Sequence, residues 1–372
     1  MSTTKEEAFT RLLNSVNNCD LCERLCNRRK VLSKFNGSLY SKVLFIAEAP
    51  GRLGAECTGI PLYGDKTGDN FELLLNNIGW TREDIFITNA ILCNPQDENG
   101  NNSTPKKEEL INCSAYLDMT IRLIAPQVIV TLGAKALEAL KLIHNHDFSL
   151  KADAGTKRIW GNYVLFPMYH TGPRALVHRP LASQRSDFIK LSHFVNPFEG
   201  LKEVTSTKKC DVKRDNKLLS LIKIIIDFYS ELSLFKLTKL LYLIDYNFLK
   251  EYGKSLSGSI FLRMQEGPWI PSLSSLIKAD CEDFTIHFYN KKPYVKSQNE
   301  GAMIFEYPED EKYYIYSILE KYSHHTDAEL KTAVYLTEPM KYILEQEKRG
   351  ENMTKVPVLY KDDTVVNLHV PK

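Results

Sequence analysis

The chain has 372 residues, 43% of them hydrophobic and 25% charged, with a formal net charge of +2. These are ordinary globular values that supply material for a sizeable core, and the length predicts two or three domains. A near-neutral balance names no partner, although basic groups can still cluster locally. The N-terminus MSTTKEEAFT is polar and acidic, unlike a signal peptide. No apolar run approaches the roughly 20 residues that span a bilayer, since LLSLIKIIIDF is broken by Lys223 and Asp227. A soluble, cytoplasmic protein without membrane contact is expected.

Residues 6–18 have helical spacing and deliver the chain to Cys19-Asp20-Leu21-Cys22. Val43 to Ile46 are four apolar residues in a row, which predicts a short strand buried on both faces. It runs into Ala47-Glu48-Ala49-Pro50-Gly51, where Pro and Gly force a turn. A carboxylate at the C-terminal mouth of a parallel strand is where α/β proteins place chemistry, but one beside a turn can equally cap the next helix. A Gly-rich loop follows, and Asp69 or Asn70 is expected to begin a helix that Gly79 ends. Ile85 to Thr88 predict a second strand with Asn89 at its mouth, followed by a polar loop and a helix over 106–124. Residues 127–133 predict a third strand and AKALEALKLI a helix; residues 163–170 predict a fourth strand ending in His170. The loop TGPRALVHRP and a helix through SQRSDFIKLSHF close the unit.

Strands separated by helices of this length imply a parallel sheet covered on both faces. The expected fold class is therefore α/β, a three-layer α/β/α arrangement with a central parallel sheet. Its strand mouths present Glu48, Asn89 and His170 on one edge, and three polar groups at equivalent mouths favour a site over isolated structural roles. The polar stretch 196–215 reads as a linker between a first domain, 1–195, and a second, 216–372. The second is expected to be mainly α-helical: KLLSLIKIIIDFY and LFKLTKLLYLIDYNFLKEYG as a helical hairpin, then helices at 310–323 and 327–345.

Eight cysteines need an explanation suited to a reducing compartment, where a metal centre or buried thiols are favoured over disulfides. Cys19 and Cys22 form a CxxC beside Cys26, and Cys57, Cys93, Cys113, Cys210 and Cys281 are dispersed.

The first two hundred residues resemble the family-4 uracil-DNA glycosylases. The resemblance rests on CDLC (19–22), AEAPG (47–51), GIPLYG (59–64), ITNAILCNP (87–95), Cys113 within ELINC, and YHTGPR (169–174), in matching order. It implies that Cys19, Cys22, Cys93 and Cys113 hold a four-iron, four-sulfur cluster, for which four thiolates are the needed donors. Buried cysteines or a zinc site are the other readings of the same residues. It also implies a monofunctional DNA glycosylase that flips a pyrimidine out of DNA and hydrolyses its N-glycosidic bond, leaving an abasic site. His170 is then the hydrogen-bond donor to the departing base, Glu48 the group that positions the attacking water, and Asn89 the reader of the pyrimidine edge. Ala49, Gly51, Glu56, Leu62, Tyr63 and Asn89 are expected to line the base pocket. Arg174 and Leu176 are the expected wedge, with His178 and Arg179 for phosphate.

The sequence departs from that family in three places. Leu62 stands where a base-stacking Phe is common, the loop from Glu48 to Pro61 is one residue longer, and His170 is followed by Thr171 rather than Pro. The Lys/Arg-rich loop with a nucleophilic His found in covalent uracil-trapping relatives is absent from 94–112, so no covalent adduct is expected. A base stacked on an aromatic platform gains roughly 1–3 kcal/mol. Its replacement by Leu62 extends the expected range from uracil to C5-modified cytosines, hydroxymethylated or glucosylated, as in phage DNA, with repair or antiphage defence as the role. Tyr63 swinging in as the platform would restore an ordinary uracil pocket.

Residues 236–273, with LLYLIDY, Gly258 and EGPW, and AELKTAVYLTEP (328–339) resemble the Panacea (SocA-like) antitoxin domain. This implies a helical module with a protein partner. The rival to the glycosylase is a non-excising sensor of modified DNA, or a toxin–antitoxin component, signalling through that module.

Overall fold

The computed structural model describes residues 4–196, 217–279, 283–298 and 305–359. The described residues fall into two compact units, one on either side of the expected linker. All of that linker except Asn196 lies outside the described residues.

The N-terminal unit runs α1 (Lys5–Asn17), β1 (Val43–Ala47), α2 (Ala55–Thr58), α3 (Lys66–Asn76), β2 (Ile85–Asn89) and α4 (Lys107–Ile124). It continues with β3 (Val128–Leu132), α5 (Ala134–Ile143), α6 (Leu150–Asp153), β4 (Arg158–Trp160), β5 (Tyr163–Met168) and α7 (Leu181–Val195). The five strands form one sheet in the order β2-β1-β3-β5-β4, parallel except for the short edge strand β4. Every residue of β1, β2 and β3 is buried. The period of two sorts them: Leu44, Ile46, Phe86 and Ile129 pack with α1, α4 and α5, whereas Val43, Phe45, Ile87 and Val130 pack with α3 and α7. Each such side chain stabilises the fold by about 1.5–3 kcal/mol, so the sheet is held from both sides as the α/β/α reading requires.

The register levels the strand ends. Ala47 lies opposite Asn89 and Leu132 opposite Met168, so Glu48, Asn89, Gly133 and His170 emerge along one edge. Two details differ from expectation. Helix α3 starts at Lys66 because Asp65 caps it, accepting from the Gly68 N–H at 3.0 Å. Strand β4, three residues with only Trp160 buried, is too short to show a period in the sequence.

The second unit comprises α8 (Lys217–Tyr229), β6 (Glu231–Ser233), α9 (Leu234–Tyr252), β7 (Leu262–Met264), β8 (Gly267–Trp269) and α10 (Leu273–Ala279). It ends with β9 (Phe284–Tyr289), β10 (Lys292–Ser297), α11 (Glu309–Tyr322), α12 (Asp327–Tyr335) and α13 (Glu338–Lys348). It is mainly helical, as expected, but carries a three-stranded sheet in the order β6-β10-β9 and a β7-β8 hairpin that the sequence did not announce. Residues 327–345, expected as one helix, are two. Thr337 begins the second, and Pro339 in its first turn could not continue the first, lacking the N–H that an interior position must donate. Asp245 is fully buried and accepts from the Leu256 and Ser257 N–H groups at 2.8 and 2.9 Å, and from the Ser257 hydroxyl. Among the described residues no helix is long and apolar enough to cross a membrane.

Candidate active site

The β1–β2 ladder continues beyond both strands. Ala90 N–H donates to the Ala47 carbonyl at 2.7 Å and Ile91 N–H to the Glu48 carbonyl at 3.2 Å, fixing Glu48 and Asn89 side by side. Asn89 is buried, and among the described residues its Nδ2 has no hydrogen-bond partner. Such a donor at a strand mouth is available to the carbonyl of a ligand. Glu48 is half-buried; burial raises its carboxyl pKa, Lys135 opposes that rise, and Glu138 adds to it.

His170 follows β5. Gly172 N–H donates to its Nδ1 at 3.0 Å, and burial lowers the ring's pKa, with the Asp65 charge opposing. A neutral ring whose Nδ1 accepts carries its proton on Nε2, so the ring is a donor at its outer nitrogen. The turn is built around this contact: a Cβ on Gly172 would stand 2.9 Å from Nδ1. Asn70 Nδ2 donates to the Thr171 carbonyl at 2.8 Å, Thr171 Oγ1 to the Thr67 carbonyl at 3.0 Å, and Gln184 Nε2 to the His170 carbonyl at 3.2 Å.

The Gly-rich loop wraps Asp65. A Cβ on Gly54 would fall 2.4 Å from Asp65 Oδ2, and one on Gly51 3.1 Å from it. Asn94 Nδ2 holds the Pro50 carbonyl at 2.5 Å, which ties the turn after Glu48 and Ala49 to the loop beyond β2. Glu56 stands on α2 with both oxygens engaged, one by Gln96 Nε2 at 2.9 Å and one by Arg28 at 3.7 Å. Leu62 is buried in the apolar core shared with Phe45 and Phe71, in a left-handed conformation with φ +50°. The Tyr63 ring is buried with the Arg82 guanidinium 4.9 Å from its centre, so neither residue turns an open aromatic face outward.

In the loop after His170, Arg174 and His178 are exposed and Leu176 is half-buried. Val177, which the sequence reading passed over, is 81% exposed and is the more prominent apolar side chain. Arg179 makes paired hydrogen bonds to the buried Asp187 at 2.7 and 2.5 Å, a clamp on the base of the loop rather than the free phosphate contact expected of it.

Cys19, Cys22, Cys93 and Cys113 are free thiols from three separate segments. Burial pushes Cys93 up to about 12 and Cys113 up to about 11, and both are raised further by Cys19 and Cys22, so the four are electrostatic neighbours. The Cys26 and Cys57 thiols donate to the Glu23 and Arg52 carbonyls. Cys210 and Cys281 lie outside the described residues. Among the described residues no three His, Cys, Asp or Glu side chains are grouped to hold one metal ion. Four neighbouring thiols, with the Glu109 charge also felt by Cys22 and Cys113, supply the thiolate donors that a multi-iron cluster needs.

Sequence reasoning missed Asp65, Asn70 and Gln184 as groups that position the catalytic candidates, and met Thr171 only as a departure from the family pattern. Only Asp65, three residues before Gly68 at a helix start, carried a signal.

The fold is that of an α/β protein whose parallel strands present polar groups at their C-terminal mouths, where such folds place their sites. The model of the uracil DNA glycosylase superfamily matches residues 35–192, and that of the antitoxin SocA-like Panacea domain residues 237–339. A type-4 uracil-DNA glycosylase of Saccharolobus solfataricus is 33% identical over 175 residues, covering 45% of this chain and 77% of that protein. One of Thermotoga maritima is 33% identical over 168 residues, covering 45% and 83%. A type-5 uracil-DNA glycosylase of Thermus thermophilus is 30% identical over 188 residues, covering 43% and 80%. The chain belongs to the uracil-DNA glycosylase superfamily, with a Panacea domain following the glycosylase-like unit.

Proposed function

We propose that the N-terminal unit is a monofunctional DNA glycosylase acting on a flipped pyrimidine. The observation that carries this reading is His170, held neutral with its donor on Nε2, at the same sheet edge as Glu48 and the Asn89 Nδ2, which has no partner among the described residues. As the bond from C1′ to the base nitrogen breaks, its electron pair goes to the base and negative charge gathers on a carbonyl oxygen. His170 Nε2–H donates to that oxygen, and Asn89 meets the pyrimidine edge. Glu48 orients the water whose oxygen bonds to C1′ and takes the proton that this water loses, which passes on to solvent or the departed base anion, and its charge favours the cationic sugar.

Uracil is the first substrate, the activity named for the relatives. The buried positions of Leu62 and Tyr63 support a pocket without an aromatic platform at 61–64, and hence a range reaching C5-modified cytosines. Cys19, Cys22, Cys93 and Cys113 would hold a four-iron, four-sulfur cluster; when bound it ties the segment after α1, the loop after β2 and helix α4 together. The Panacea unit is a tethered module for a protein partner, and the role is base excision repair or antiphage defence.

The test is strand breakage by alkali after incubation with matched duplexes carrying uracil, hydroxymethylcytosine or glucosylated hydroxymethylcytosine. Breaks with uracil and at least one modified cytosine are expected. Breaks with uracil alone would return the protein to ordinary repair. Salt-dependent binding with no breaks at any base would favour the sensor.

A further inference from the structure

In the second unit, KLTK and EGPW are segments that the proposed chemistry leaves unused. The fold brings them together around a cavity of about 670 Å³, within the range of small-molecule sites. Its walls are mostly apolar, with Phe235, Met264 and Trp269 prominent. They are contributed by the start of α9, the β7–β8 hairpin and the first residues of β10 and α12.

Glu266, Lys292, Asp327 and Lys331 also reach the rim of this cavity, exposed or half-buried, and Lys239 is the buried charge among them. It is 2% exposed, yet it lines this cavity. Among the described residues its ammonium has one hydrogen-bond acceptor, the Pro268 carbonyl at 3.1 Å, against a capacity of three. The Phe235 ring lies 4.9 Å from Nζ. Gly267, at φ +93°, brings the hairpin close enough that a Cβ there would stand 3.4 Å from Nζ. The nearby carboxylate, Glu266, is already paired with Lys331 at 2.6 Å. Burial pulls the Lys239 ammonium down to about 8, with Glu266 opposing and Lys331 and Arg263 adding to the shift.

A buried ammonium with donors to spare, at an apolar wall, is costly to the fold unless something answers it. A pentose phosphate or nucleotide would leave its hydroxyls facing Met264 and Trp269. Of the other cations on the wall Lys331 is paired with Glu266 and Lys292 is exposed, while Glu266 and Asp327 add negative charge, so the buried cation Lys239 suits one negative charge rather than two. We propose that this cavity binds a small aromatic or apolar molecule bearing one carboxylate, the carboxylate taken by Lys239 Nζ and the body packed on Phe235, Met264 and Trp269. The Panacea-like unit is then a ligand-responsive module.

The full chain is titrated with 1-naphthoate and 3-phenylpropionate, and with the corresponding primary amides, by calorimetry. Saturable binding of at least one carboxylate is expected, at least tenfold tighter than its amide. Lys239→Met keeps an unbranched apolar side chain and should abolish that preference while the thermal midpoint holds or rises. Ala328→Trp, at an exposed position on the cavity wall, leaves Lys239 in place and should weaken binding at least tenfold. Equal affinity for acid and amide, a preference that survives Lys239→Met, binding indifferent to Ala328→Trp, or no binding by either acid would each overturn the proposal.

Discussion

Replacing His170 by Ala tests the chemistry most directly, and the structure fixes what is lost. The ring's Nδ1 is occupied by the Gly172 N–H at 3.0 Å, so its usable donor is Nε2–H. Loss of a preorganised donor to a developing oxyanion costs about 2.7–4 kcal/mol, or 10²–10³ in kcat. Single-turnover excision of uracil by His170→Ala should fall by that factor. Affinity for DNA and its salt dependence should stay nearly unchanged, because phosphate contacts supply most of the binding. The substitution also strips the buried Gly172 N–H of its acceptor, which costs about 1–3 kcal/mol of stability. Rates must therefore be read well below a lowered thermal midpoint. The pH dependence has a definite sign. Burial holds the folded ring below its usual 6.5, so the unfolded chain takes up the proton first. The ring's contribution to stability is complete above 6.5 and is lost as pH falls toward the lowered folded value. A protonated Nδ1 would also face the Gly172 N–H, donor against donor. An alkali-cleavage assay giving a rate within threefold of wild type on folded His170→Ala would refute the assignment.

Glu48→Gln should lower excision by about 10²–10⁴, the usual worth of a positioned general base. Because burial raises the Glu48 pKa, ionisation costs the fold as pH rises through 4.5, so the same variant should melt higher than wild type at pH 7, by calorimetry. The purified protein should be brown; Cys93→Ser should lose the colour and the iron and melt earlier, whereas Cys26→Ser keeps both, by visible absorbance and iron and sulfide assay. Arg179→Ala should destabilise by about 3–5 kcal/mol in urea unfolding, since it strands the buried Asp187 carboxylate, and Arg179→Lys should recover only part of this. An Arg179→Ala protein as stable as wild type would make that clamp a surface pair of no consequence.

The sheet was legible because its strands are buried on both faces: Val43 to Ile46 and Ile85 to Thr88 are runs that few other arrangements explain. Reading those runs to their ends also located Glu48, Asn89 and His170, since parallel strands share a C-terminal edge. What places the catalytic candidates was not legible. Gln184 reaching the His170 carbonyl, and Asn70 the Thr171 carbonyl 101 residues away, are polar side chains in helices that any surface would accept. Their burial follows from the assembled layers, not from local pattern. The Arg179–Asp187 clamp was missed for the same reason, since a basic residue in a loop reads as exposed until its partner on the following helix is seen. In the second unit, β6, β7 and β8 are three residues each and too short to carry a period.

The groups at the strand mouths share a property that separates them from the core beneath. Asn89 keeps a buried Nδ2 without a partner among the described residues, where an unmet donor costs about 1–3 kcal/mol. Burial works against the charged form of Glu48 and against protonation of His170. Asn89 and Glu48 are thus not in the state that would stabilise the fold most, whereas His170 is in its favoured neutral form with its donor turned outward; on the proposed reading a pyrimidine and a water would complete all three. The apolar strands Val43–Ala47 and Ile85–Asn89 supply the compensation, with all of their residues buried. Substitutions that relieve the mouth, such as Asn89→Leu, should therefore stabilise the protein and disable it together. Substitutions in the strands below should do neither separately, because there packing and placement of the site are one effect.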